Sequence, residues 1–354
     1  MRRLVIAAIS ALILLCVCIS TPQGCGLLSI RWAPLRINLR IRRPWPAATN
    51  LRPGTPPAQE PANERAAASS VQESVSLESG KPVERELSGG QSHFYKVSMT
   101  SGQYLRITVS QQGIDALVAL FTPDGKNIGE VDLEPSIGRS ETILAIAEAA
   151  GAYRIEVRPA EKTARIGRYG IKVEELREAT TEDKYRVAAW TLFLEAAPLG
   201  QGTLEERRKG IEKYQEALEL YRRAGDRGGE AETLHTIGLV YSSLGEKRKA
   251  LEKYNEALPI RRAAGDRRGE GATLHNIGMV YRALGETGKA LENLNEALPI
   301  LREVGDREGE AAALTNIGLV YNLLGETGKA LEKYNEALPI SRATGDRIGE
   351  AYAL

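Results

Sequence analysis

Histidine is nearly absent from this chain: only His93, His235 and His275 occur in 354 residues. Cysteine is confined to Cys16, Cys18 and Cys25, ahead of any stretch patterned like a fold. The folded parts are therefore expected to hold no disulfide and no thiol chemistry. An excess of one charge is missing too. With 47 basic and 46 acidic residues the net charge is +1, so no global attraction to nucleic acid or anionic lipid follows. No phosphate-cradling glycine loop and no metal-spaced cluster is present, so neither a catalytic constellation nor a cofactor is expected.

What is present is repetition. Gly-Asp-Arg begins at Gly225, Gly265, Gly305 and Gly345, at steps of 40 residues. Between these marks Thr233–Tyr241 returns as Thr273–Tyr281 and again as Ala313–Tyr321. A fixed period in this range marks a solenoid, in which each unit buries its apolar face against its neighbours. Leu234, Ile237, Tyr241 and Leu244 form one helical stripe, and Ala250, Leu251, Tyr254, Ala257 and Leu258 form a second. Gly245 suits a helix end, as do Gly225 and Gly265, while Asp226 and Asp266 are good N-caps. Each unit therefore reads as two antiparallel helices, A and B. Pro259, Pro299 and Pro339 fall inside helix B, predicting a kinked but unbroken helix.

The residues Leu234, Ile237, Gly238, Tyr241, Ala250, Tyr254 and Ala257 resemble the tetratricopeptide repeat. The standard unit has about 34 residues, and the longer period here is similar to that of kinesin light chain-like adaptors. Leu294 departs from the pattern, replacing the tyrosine of Tyr254 and Tyr334. An armadillo or HEAT array is the alternative, without this Gly–Tyr–Gly–Ala spacing.

Taken in order, residues 1–20 carry a basic start and an apolar run, a signal peptide or signal-anchor. Arg31, Arg36, Arg40, Arg42 and Arg43 outnumber Arg2 and Arg3, which for an uncleaved anchor leaves the C-terminal side cytoplasmic. Export or membrane anchoring is the expectation, with residues 1–20 as the tether. Residues 21–81 read as a linker, Arg-rich and then Pro/Ala/Ser-rich. Residues 82–176 show short alternating stretches, as in Tyr153–Val157 and Tyr169–Val173, and predict an antiparallel β-sandwich. The segments His93–Val97, Asp115–Gly125 and Gly151–Val157 resemble the bacterial pre-peptidase C-terminal domain, an accessory binding or stabilising module of exported bacterial proteins. Asp115 and Asp124 are expected to cap turns rather than bind calcium. The fold class is thus multidomain: an antiparallel β-sandwich followed by an all-α tetratricopeptide-repeat superhelix over residues 183–354. That superhelix divides into a capping pair (184–224), repeats 226–264, 266–304 and 306–344, and a partial repeat 346–354. Trp190, Phe193 and Leu194 are expected to supply the buried side of the first helix. The partial repeat stops before its Gly–Tyr half, as a truncated copy of a longer protein would.

The resemblance implies a non-catalytic scaffold that binds a protein or peptide in the groove lined by its A helices. The expected groove residues are His235, Leu239 and Ser242, then His275, Met279 and Arg282, then Thr315, Leu319 and Asn322. His235 and His275 could pair on zinc, but Thr315 breaks the series and no third ligand is evident, so exposed groove positions are expected. Asn276 and Asn316 match the asparagine that clamps a peptide backbone in long-repeat adaptors; bonding to a neighbouring helix is the equal alternative. A second reading, from the domain order, is the sensing half of a caspase-like protease of the type called CHAT.

Overall fold

The computed structural model describes residues 29–32, 35–38, 74–131, 140–161, 164 and 166–353. The expected signal segment and most of the linker lie outside them. The chain divides into units 1–63 and 64–354. In the first, β1 (Ser29–Trp32) and β2 (Leu35–Asn38) pair antiparallel.

The second unit opens on two sheets. One has the order β3 (Val75–Ser76), β5 (His93–Met99), β10 (Gly151–Pro159), β7 (Ala116–Phe121) and β8 (Asn127–Val131). The other runs β4 (Val83–Leu87), β11 (Gly167–Glu178), β6 (Gln103–Gln112) and β9 (Ser140–Ile146). All pairs are antiparallel except β3 with β5. Alternation does the work expected of it. In β5, Tyr95, Val97 and Met99 are buried while Lys96 and Ser98 face solvent. Both sheets bury one core that includes Leu87, Tyr95, Leu105, Ile107, Ile155 and Ile171. Within it the Tyr95 and Tyr169 hydroxyls share a 2.5 Å hydrogen bond and Tyr169 meets His93 Nδ1 at 2.7 Å, so these two buried phenols are partnered. The sandwich starts earlier than expected, at β3. That strand is two residues long and set among Ser and Glu, too short to show a period.

Helices follow without a break: α1 (Thr181–Gly200), α2 (Leu204–Arg223), α3 (Arg227–Ser243), α4 (Lys247–Ala264), α5 (Arg267–Ala283), α6 (Thr287–Glu303), α7 (Arg307–Leu323), α8 (Thr327–Thr344) and the short α9 (Arg347–Ala353). Asp226, Asp266 and Asp306 cap α3, α5 and α7, each accepting at 2.9 Å from the amide three residues on. Gly265 closes α4 at φ +68°, a left-handed position that glycine takes at no steric cost. Helices α4, α6 and α8 run through Pro259, Pro299 and Pro339 unbroken.

The A–B pairs close on glycine. A Cβ on Gly238 would stand 2.5 Å from the Tyr254 ring, one on Gly278 2.6 Å from Leu294 Cγ, and one on Gly318 2.5 Å from the Tyr334 ring. Leu294 thus fills the place of the tyrosines. Tyr241, Tyr281 and Tyr321 are only half-buried, each with a lysine ammonium 5.1–5.3 Å from its ring centre. Between repeats a charged motif recurs. The buried Glu270 accepts from Arg262 at 2.9 Å and from Arg267 at 2.6 Å, and Glu310 does the same with Arg302 and Arg307. Two guanidiniums per carboxylate offset its loss of water.

Helix α1 departs from the expected role. It has two buried stripes. Ala189, Phe193 and Ala196 pack into the helical core, whereas Trp190, with Val187 and Leu194, packs into the sandwich core. Gly129 of β8 makes room for the indole, since a Cβ there would lie 2.7 Å from Trp190 Cη2.

Candidate functional site

The A helices α3, α5 and α7 present three faces, set by the 100° step between residues. Leu234, Ile237, Gly238 and Tyr241 turn to helix B. Directly opposite lie Glu232, Leu239 and Ser243, whose counterparts are Ala272, Met279 and Ala283, then Ala312, Leu319 and Leu323. Leu239, Met279 and Leu319 are half-buried, while Ser243, Ala283 and Leu323 are exposed. This strip keeps Leu239, Met279 and Leu319 from the expected set. It adds Glu232, Ala272 and Ala312, which the period opposite the Leu234–Tyr241 stripe could have located.

Five expected groove residues lie elsewhere. His235, His275, Asn276, Thr315 and Asn316 are buried, at 6–8% exposure. The exposed placement expected of the two histidines is therefore corrected. These positions sit on the flanks where one A helix meets the next, so their polar groups bond across that seam. Asn276 Nδ2 donates to His235 Nε2 at 3.2 Å, and His235 Nδ1 donates to Thr273 Oγ1 at 3.1 Å. The Thr273 hydroxyl then donates to the Gly269 carbonyl at 2.8 Å. One seam later Asn316 Nδ2 donates to His275 Nε2 at 3.1 Å and to the Ala312 carbonyl at 2.9 Å, which occupies both amide hydrogens. Burial pushes the His275 pKa down to about 4. Each histidine therefore serves an asparagine of the following repeat, and the two imidazoles do not converge on a common ligand site. Among the described residues no group of three His, Cys, Asp or Glu is placed to hold a metal ion.

Ser242, Arg282 and Asn322 share one edge of the strip, the first two half-buried and the third exposed. Lys247 Nζ donates to the Ser242 carbonyl at 2.9 Å and to its hydroxyl at 3.2 Å. In the sandwich, Asp124 accepts from the Thr122 hydroxyl, which lowers its pKa and is the turn-capping role expected of it.

Residues 203–263 and 269–343 match the tetratricopeptide repeat family, and residues 91–159 match the bacterial pre-peptidase C-terminal domain. The C-terminal half is a tetratricopeptide-repeat array and the sandwich carries a pre-peptidase C-terminal domain. An array of this class is a protein-interaction scaffold. No curated protein matches the chain. Among solved structures it is similar to aspartyl phosphate phosphatase F from Bacillus subtilis, at 17% identity and a TM-score of 0.45, covering 49% of this chain and 44% of that one. It is similar to a putative kinesin light chain from Podosopora anserina with nearly identical TPR-like repeats, at 16% identity and a TM-score of 0.38, covering 44% and 75%. The pre-peptidase C-terminal domain of a Bacillus anthracis collagenase matches at 17% identity and a TM-score of 0.25, covering 29% and 96%.

Proposed function

We propose that the chain is a non-catalytic scaffold whose A-helix strip binds an extended peptide. The observation that carries this reading is the ladder Leu239, Met279 and Leu319. One apolar side chain recurs at the same slot in three successive repeats, half-open and opposite the helix B core. Ala272 and Ala312 keep the strip low beside it, so a chain laid across the helices would meet apolar steps at repeat spacing. Asn276 and Asn316 bond to the neighbouring helix, so backbone clamping by their amides is not part of the proposal. Export or membrane anchoring through residues 1–20 is a separate proposal; a reporter fused near residue 80 and active in the cytoplasm would count against export.

Panning the intact chain against a random dodecapeptide library tests the strip. Wild-type protein should enrich sequences with spaced apolar residues. Met279→Glu with Leu319→Glu should abolish the enrichment while the thermal midpoint moves by no more than a few degrees. The same sequences enriched by the variant would sink the reading.

A further inference from the structure

The B helices meet in three seams, α2 with α4, α4 with α6 and α6 with α8, and one of these is built differently. Arg262 Nη2 donates to Glu296 of the next B helix, and Arg302 Nη2 donates to Glu336 at 3.2 Å. Each guanidinium thus closes its seam. In the first seam the corresponding Arg222 stands 3.7 Å from Glu256, an ion pair without a hydrogen bond. The cause lies one turn back. Arg222 donates to Glu219 at 3.0 Å, and that slot is Pro259, Pro299 and Pro339 in the later units, which offer no carboxylate. Glu256 accepts instead from Lys253 at 2.6 Å.

The seam left open in this way holds a recess of about 240 Å³, lined by Leu218, Glu219, Arg222, Ile237, Lys253 and Glu256. It lies among the B helices, not on the A-helix strip. Leu218 and Ile237 are buried and make an apolar floor. Each wall carries one charge of each sign, Glu219 and Arg222 on α2, Glu256 and Lys253 on α4. The rim is neutral overall and offers partners to both ends of a zwitterion. Its volume falls below the range of about 300–1,000 Å³ that suits drug-sized ligands, so its occupant is a smaller molecule. Stacking of repeats explains the Arg222 bond to Glu230, which recurs as Arg262 with Glu270 and Arg302 with Glu310. It does not explain a glutamate placed to hold the same guanidinium off the neighbouring helix, since an exposed pair of this kind contributes little by itself.

We propose that this recess binds a free α-amino acid with an aliphatic side chain. Arg222 and Lys253 take its carboxylate, Glu219 and Glu256 take its ammonium, and the side chain covers Leu218 and Ile237. The bound molecule bridges α2 and α4, in place of the hydrogen bond with which the later seams close themselves. The site stands independently of the peptide-binding reading.

Calorimetric titrations and thermal melts of the intact chain test it, with L-leucine, L-valine and L-methionine as probes at millimolar concentration. At least one should bind and raise the thermal midpoint. Its amide, which lacks the carboxylate, and its deaminated acid, which lacks the ammonium, should each bind about tenfold more weakly or worse. Glu219→Pro installs the side chain that the later B helices carry unbroken, lets Arg222 close on Glu256, and should abolish binding with helix content retained. Glu219→Gln leaves the backbone unaltered and should weaken binding about tenfold. Pro259→Glu with Asn293→Lys repeats the charge pattern in the second seam and should raise the stoichiometry from one ligand per chain to two. No binding by any of the three probes overturns the proposal, as does equal binding by the amide or the deaminated acid. So does unchanged binding by either Glu219 variant, or a stoichiometry that stays at one.

Discussion

A ring nitrogen that accepts a hydrogen bond is unprotonated, and His275 accepts one from Asn316 at 3.1 Å inside a buried seam. Its pKa falls, chiefly through burial, from 6.5 to about 4. The sign of the linkage follows. Below about pH 6.5 the unfolded imidazole binds a proton that the folded one refuses until about pH 4, so stability is lost as pH drops through that window. The loss is on the order of 3 kcal/mol when complete. His275→Gln, which keeps an acceptor for Asn316, should remove most of the decline. Urea melts of both proteins at pH 7 and pH 4.5 check it; equal losses in the two would show that the imidazole titrates freely.

At the scale of the element, the helix pairs are held close by a missing methyl group. Gly238 faces the rigid ring of Tyr254, which is 1% exposed and has nowhere to turn. Gly238→Ala should therefore cost about 1–3 kcal/mol through overpacking. Gly288→Ala is the control: its added Cβ meets nothing within 4 Å, so the change should be neutral or stabilising by up to about 1 kcal/mol. Chemical denaturation of both variants decides the matter, and similar costs would place the close approach elsewhere. The glycines in the first turns of the A helices have a related cause. Gly229 and Gly309 lie under Tyr221 and Leu301 of the preceding B helix, where a Cβ would come within 2.4–2.9 Å.

For the 64–354 unit as a whole, α1 is the joint between sandwich and array. Besides its two apolar stripes it carries Asp183, which is 1% exposed and bonded by Arg177 of β11 and by Arg186, while Arg186 reaches Asp226 at 3.0 Å. Burial opposes the Asp183 charge, but the hydrogen bonds from Arg177 and Thr180 prevail and hold its pKa at about 2. Trp190→Ala should cost about 3–5 kcal/mol and split one calorimetric transition into two, as each part melts on its own. A single transition in the variant would show that the joint rests on the ion pairs.

The sequence was most legible where a local rule repeats. The 40-residue period, the Asp226 and Asp266 caps and the unbroken B helices all follow from short-range chemistry that any copy of the unit carries. Strand β3, with two residues, has no period to read. Trp190 looked like part of the helical core because its spacing suits α1; only the sheets' position turns it to Gly129. His235, Asn276 and Asn316 share a helix with the strip residues, and one 100° step separates a surface facing solvent from one facing the next helix.

By itself, then, the order of residues determined the repeat, its two helices and the glycine that lets them meet, since these depend on contacts within one unit or its copy. Which polar side chains stay open to a partner was decided by the tertiary structure. A neighbouring helix takes up the hydrogen bonds of His235, His275 and Asn316 but leaves Asn322 exposed, and that distinction depends on distances across the stack.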